Sequence, residues 1–181
     1  MTATSHWLLV AAAVLLGVRA QPAAQDASDE YRLKAAFVYR FPQFVEWPDV
    51  AVRDARTLDV CVLDPNPFGS DLEQLVSGET AAGRPLRVRT VSGPEALSGC
   101  HVLFAGGHGQ ATAQVVKAVS DRPVLTIGET EHFLDDGGII VLRIVGRRVR
   151  FDVSSTNARK AGLRIDPQLL SLAAVVRGGA Q

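Results

Sequence analysis

The sequence predicts an α/β fold: a mostly parallel sheet flanked by helices, with a C-terminal antiparallel β-hairpin, in a single domain. Three observations predict it. Short apolar runs rich in β-branched residues, among them LDVCVL (58–63), CHVLFAG (100–106) and PVLTIGE (123–129), have the length and bounding turns of buried strands. Helical stretches, at 71–77 and in ATAQVVKAV (111–119), fall between them, and that alternation is the signature of a parallel sheet. The last third changes character: GGIIVLRIVGRRVRFDVS reads as two strands about a tight turn.

Length and composition set the frame. The chain has 181 residues, enough for one domain with a real core, and its formal net charge of +0 excludes bulk attraction to nucleic acid or to an anionic membrane. The first twenty residues, MTATSHWLLVAAAVLLGVRA, form a segment of their own. The apolar run from Trp7 to Val18 is shorter than the roughly 20 residues a bilayer span needs, but it suits the apolar core of an export signal. Val18 and Ala20 are small residues where a signal peptidase reads, so cleavage is expected after Ala20, in a periplasmic protein with no membrane insertion once cleaved. An uncleaved N-terminal anchor is the alternative. Residues 21–29 read as a flexible leader, and 30–178 as the folded domain.

Asp29 is placed to cap a helix beginning near Glu30. Along it Leu33, Phe37, Phe41 and Phe44 recur at steps of four, four and three, an apolar stripe that reads as core. Tyr39 and Trp47 fall off that stripe, where they would serve as surface anchors for a partner or cap the edge of the core. Pro42 removes a backbone donor and should bend or break the helix, and Pro48 should stop it. Next, PLRVRTV (85–91) alternates like a strand with one wet face, and a short helix is expected through Phe133. In the hairpin, a two-residue turn at Gly146 and Arg147 sets Ile144 opposite Val149, Leu142 opposite Phe151 and Ile140 opposite Val153, and these six form the buried face. The other face sets Arg143 opposite Arg150 and Val145 opposite Arg148. Facing like charges cost stability, so Arg143, Arg148 and Arg150 should point into water or at an acidic partner. Ser155 is expected to cap a helix that Gly162 ends, and Asp166 and Pro167 to start a last helix, QLLSLAAVV.

Signals of chemistry are sparse. Cys61 and Cys100 are the only cysteines, and an oxidising compartment favours bridging them; two buried thiols that never meet are the alternative. His132 lies near Glu129, Glu131 and Asp135, but without paired-His or HExxH spacing the group reads as a solvated helix end, so no metal site is expected. No GxSxG elbow is present. The loop Gly106, Gly107, His108, Gly109 follows a strand and precedes a helix, a setting in which backbone amides hold small anions such as nucleotides. Its spacing fits neither a Walker A loop nor a full GxGxxG, and a plain strand-to-helix turn is the simpler reading. Neither a catalytic constellation nor a cofactor follows from these residues.

Two segments carry a resemblance. YRLKAAFVYRFPQFVEWP is similar to the opening helix of the YfiR-like family of exported bacterial proteins, with Tyr31, Lys34, Ala35, Ala36, Tyr39, Phe41, Phe44, Trp47 and Pro48 in place; Arg40 and Pro42 depart from that family's usual pattern. GGIIVLRIVGRRVRFDVSSTNARKAGLRIDPQLLSLAAVV resembles its closing hairpin and helices. The likeness spans about residues 31 to 176 and includes both cysteines. The resemblance implies a periplasmic repressor, not an enzyme, that binds the periplasmic sensor portion of an inner-membrane diguanylate cyclase, lowers cyclic-di-GMP signalling and biofilm formation, and forms homodimers.

Overall fold

A computed structural model describes residues 22–107, 109–146 and 148–178. The export-signal segment, His108 and Arg147 lie outside the described residues. The chain opens with α1 (Pro22–Arg40), a 3-10 turn at Phe41–Phe44, β1 (Val45–Glu46) and α2 (Asp49–Val52). There follow β2 (Leu58–Leu63), α3 (Asp71–Val76), β3 (Thr80–Ala81), β4 (Arg84–Val91), a 3-10 turn at Pro94–Leu97, β5 (Cys100–Ala105), α4 (Gln110–Val119) and β6 (Leu125–Gly128). The last part holds β7 (Ile140–Val145), β8 (Arg148–Ser154), α5 (Ser155–Lys160), β9 (Arg164–Ile165), α6 (Pro167–Leu172) and β10 (Val175–Arg177).

Eight strands form one sheet in the order β10-β8-β7-β6-β5-β2-β4-β3; β1 and β9 pair separately. Within the large sheet only β3–β4 and β7–β8 run antiparallel, so the sheet is mostly parallel, as expected. Its central strands are buried along their whole length, which is why they read as continuous apolar runs. Strand alternation divides them between two cores. Val60, Val62, Val102, Phe104, Leu125 and Ile127 pack toward α1, and Cys61, Leu63, Leu103 and Ala105 pack toward α4.

The first helix differs from expectation in two ways. It begins at Pro22, so residues 22–29 are helical where a flexible leader and an Asp29 cap were anticipated. It also docks by a different face. Ala35, Val38 and Tyr39 are buried, while Leu33 is 51% exposed. The reason lies at both ends of the stripe. Pro42 ends the helix at Arg40, so Phe41 and Phe44 sit on a 3-10 turn off the α-helical period. Lys34 meanwhile turns inward to an ionic partner. Phe37 and Phe44 are left half-buried at the edge of the first core, and Phe41 is fully inside.

Four further elements differ. The residues around Phe133 form a run of turns in place of a short helix, because Phe133 folds back between two glycines. A Cβ at either Gly128 or Gly138 would collide with its ring. The cap of α5 is Ser154, whose hydroxyl accepts from the Asn157 N–H, and Ser155 is the first helical residue. The last helix stops at Leu172, and the apolar residues after it join the sheet edge, where Val175–Arg177 runs parallel to β8. β-branched Val175 and Val176 suit a strand better than a helix. The hairpin register is the expected one, but the six-residue buried face holds only at its base: Ile144 is 42% exposed and Val149 is half-buried.

Candidate functional site

Three places concentrate unusual chemistry: the hairpin, the carboxyl ends of the central strands, and the disulfide with its arginine neighbour. The hairpin begins rigid. Ile139 N–H donates to Thr126 Oγ1 at 2.9 Å, Ser154 N–H donates to the Ile139 carbonyl at 2.8 Å, and the Asn157 amide donates to the carbonyls of Leu134 and Gly138. On one face Phe151 packs its ring against Phe37 and Phe41. On the other, Arg143 reaches along its own face to the buried Asp152 carboxylate at 2.5 Å. Beyond this level the core stops. Ile144, Val145, Arg148 and Arg150 are exposed around the turn, a tip both apolar and basic.

The carboxyl ends of parallel strands are where open α/β sheets hold ligands, at the point where strand order reverses. Here that end is filled by the chain itself. Phe68 packs edge-on against Phe104 at 4.5 Å, and Tyr31 packs against Phe68. Lys34, only 4% exposed, makes ion pairs with Glu129, just past β6, and with Glu30 one helical turn back. The Tyr31 hydroxyl donates to Glu129 Oε1 at 3.3 Å. Burial acts to lower the Lys34 ammonium, but the hydrogen bonds and charges of Glu129 and Glu30 outweigh it and raise it above its ordinary value. For Tyr31, burial comes first and the Glu129 charge second, and both push the phenol up. This cluster fixes α1 to the sheet. Sequence reading placed Glu129 near His132 and missed its pairing with Lys34; no local pattern links residues 95 positions apart.

The glycine loop stands beside this cluster. Gly106 lies so close to Glu129 and Phe104 that a Cβ would meet both, which gives a packing reason for glycine. Gly107 and Gly109 are exposed ahead of α4, and the Thr112 hydroxyl donates to the Gly107 carbonyl at 2.7 Å. Tyr39 and Trp47, 8% and 7% exposed, are core residues of the α1 side, which leaves little of either ring for a partner. Tyr39 fell off the stripe because the true docking face of α1 is rotated from it, and Trp47 lies beyond the helix, just after β1. Of the expected partner surface, Arg143, Arg148 and Arg150 remain together, at the hairpin. A shallow groove of about 600 Å³ between α1 and α3 is lined by Arg32, Leu33, Ala36, Asp71, Gln74 and Leu75.

Cys61 and Cys100 are bridged, across a separation of 39 residues. A β-bulge makes this possible. Asp59 pairs with Cys100 but Val60 with Val102, so His101 is an extra residue that places Cys100 on the same face as Cys61. The Asp59 N–H donates to His101 Nδ1 at 3.1 Å and holds the bulge. The Asp59 carboxylate is held by Arg87 at 2.6 Å, Arg89 at 3.2 Å and the Thr57 hydroxyl at 2.6 Å. Burial acts to raise the Asp59 carboxyl, but the hydrogen bonds from Arg87 and Thr57 and the charges of Arg87 and Arg89 hold it below its ordinary value. His132 is exposed 3.9 Å from Asp135, and among the described residues no group of three or more His, Cys, Asp or Glu is placed to hold a metal ion. No helix among them is long and apolar enough to cross a membrane.

The profile of the YfiR/HmsC-like family matches residues 31–174. The chain belongs to this family. Membership supports a periplasmic regulatory role. Among solved structures, a conserved domain protein from Vibrio cholerae O1 biovar El Tor is similar at 13% identity and TM-score 0.45, over 71% of this chain and 57% of that one. The ABC domain in complex with L-Trp from Streptococcus pneumoniae is similar at 9% identity and TM-score 0.49, over 77% and 61%. The chain thus spans about three fifths of the length of these two structures, and nothing about its role follows from either.

Proposed function

We propose that this YfiR/HmsC-like protein is exported to the periplasm by cleavage near Ala20. There it represses an inner-membrane diguanylate cyclase by binding the cyclase's periplasmic portion. It works by contact, without turnover, as a homodimer, and it lowers cyclic-di-GMP and biofilm formation. The family match over residues 31–174 carries this reading. The hairpin tip supports it: exposed apolar side chains beside Arg148 and Arg150 form a surface suited to an acidic partner, since apolar contact gives affinity and complementary charge gives orientation. Deleting the gene in a strain that carries such a cyclase should raise cyclic-di-GMP and biofilm, and re-expression of the exported form should restore both. An unchanged cyclic-di-GMP level on deletion would overturn the proposal.

A further inference from the structure

We infer that Arg89 makes Cys100 the reacting thiol of the cysteine pair, the sulfur that is attacked or attacks first whenever the Cys61–Cys100 bridge is made. Arg89 lies on β4 directly opposite Cys61, and its guanidinium is held in one orientation by several partners. Nε faces the Asp59 carboxylate at 3.2 Å, Nη1 donates to the Ala96 carbonyl at 3.1 Å, and Nη2 donates to the Ser98 carbonyl. The remaining contact is Nη2 to Cys100 Sγ at 3.3 Å. A disulfide sulfur is a weak acceptor, so this aimed donor gains little from the bridged state. A thiolate in the same place would receive a charge-assisted hydrogen bond from a guanidinium that needs no reorganisation.

The two sulfurs therefore differ in kind. Cys61 is fully buried in the α4-side core among Leu63, Leu103 and Val91, where negative charge is disfavoured. Cys100 is buried in the same core, 5% exposed, but its sulfur faces the guanidinium. The other charged or titratable groups around it are Arg87 on β4, Asp59 on β2, His101 next in the chain, and the exposed Glu95 on the 3-10 turn before β5. Of these charges the Arg89 guanidinium is in direct contact with the sulfur, which favours the Cys100 thiolate.

With a small-molecule disulfide as oxidant, the steps balance as follows. The reduced Cys100 thiol gives its proton to water, and its thiolate attacks one sulfur of the reagent, forming a mixed disulfide and releasing one reagent thiolate. The Cys61 thiol then gives its proton to the released reagent thiolate, and its sulfur attacks the Cys100 sulfur. The Cys61–Cys100 bond forms and the second reagent thiolate leaves. Two electrons pass from the cysteine pair to the reagent, which ends as two thiols.

The test uses the reduced full chain. Reaction with oxidised glutathione, quenched by acid at early times, traps the mixed disulfide for location by mass spectrometry. The adduct is expected on Cys100; an adduct on Cys61 would overturn the inference. In a Cys61→Ser background, Arg89→Gln should slow alkylation of Cys100 by iodoacetamide about tenfold near neutral pH. It should also move the midpoint of the rate-against-pH profile upward by about one unit, with Arg89→Lys falling between. A loosened fold alone would speed alkylation by exposing the thiol. An unchanged midpoint, or a faster reaction, in Arg89→Gln would therefore contradict the inference.

Discussion

The base and the tip of the β7–β8 hairpin share one register and one alternation, yet they belong to different kinds of surface. At the base, Leu142 opposite Phe151 and Ile140 opposite Val153 close the first core, and Arg143 is drawn to the buried Asp152. Two residues further on, Ile144 and Val145 stand 42% and 57% exposed beside Arg148 and Arg150. Nothing in the local pattern changes; the layer of helix beneath it ends. The same apolar alternation thus stabilises the fold at one end and offers a contact surface at the other.

If that division holds, substitutions at the two ends should separate stability from recognition. The largest loss is expected from Phe151→Ala, which removes a ring packed on Phe37 and Phe41 and should cost about 4 kcal/mol in urea unfolding. A cost under about 1 kcal/mol would mean that the base is not core. Next comes Glu129→Ala, which removes the more buried of the two carboxylate partners of Lys34 and should cost about 3 kcal/mol. Gly128→Ala should cost about 2 kcal/mol by forcing a methyl group into Phe133, next to the strand that anchors the hairpin.

Acid should reveal a smaller effect far from the hairpin. The Asp59 carboxyl is held below its ordinary value in the folded protein, so its contribution is present above the unfolded-state value, about 3.9, and is lost as pH falls through the folded value. Asp59→Asn should flatten the decline in stability below about pH 4 relative to wild type. The smallest effect on stability belongs to the tip: Arg148→Glu with Arg150→Glu should change unfolding by less than about 0.5 kcal/mol.

How much of this was legible in the sequence depended on how local each signal was. The central strands were legible because both faces are buried, and the hairpin register because a two-residue turn and period-two alternation admit one pairing. The α1 docking face was not. It is set by Lys34 meeting Glu129 across most of the chain, and a helical period reports only which side is apolar. That one rotation accounts for the exposure of Leu33 and for the burial of Tyr39, which had been read as a possible anchor. The run after Leu172 was ambiguous for a different reason: it is apolar throughout, so composition could not distinguish a helix from an edge strand. The bridge was suggested by an isolated cysteine pair in a chain expected to be exported, while the bulge at His101 that permits it leaves no mark in the sequence.

On the proposed reading, a folded, exported domain acts by touching a membrane protein through its hairpin tip. The most direct measurement is capture from intact envelopes, with wild type and the Arg148→Glu, Arg150→Glu variant compared at equal abundance and equal unfolding midpoint. Wild type is expected to bring down an inner-membrane diguanylate cyclase through its periplasmic portion, and the variant to lose it. Equal capture by both proteins, or no cyclase with either, would contradict it.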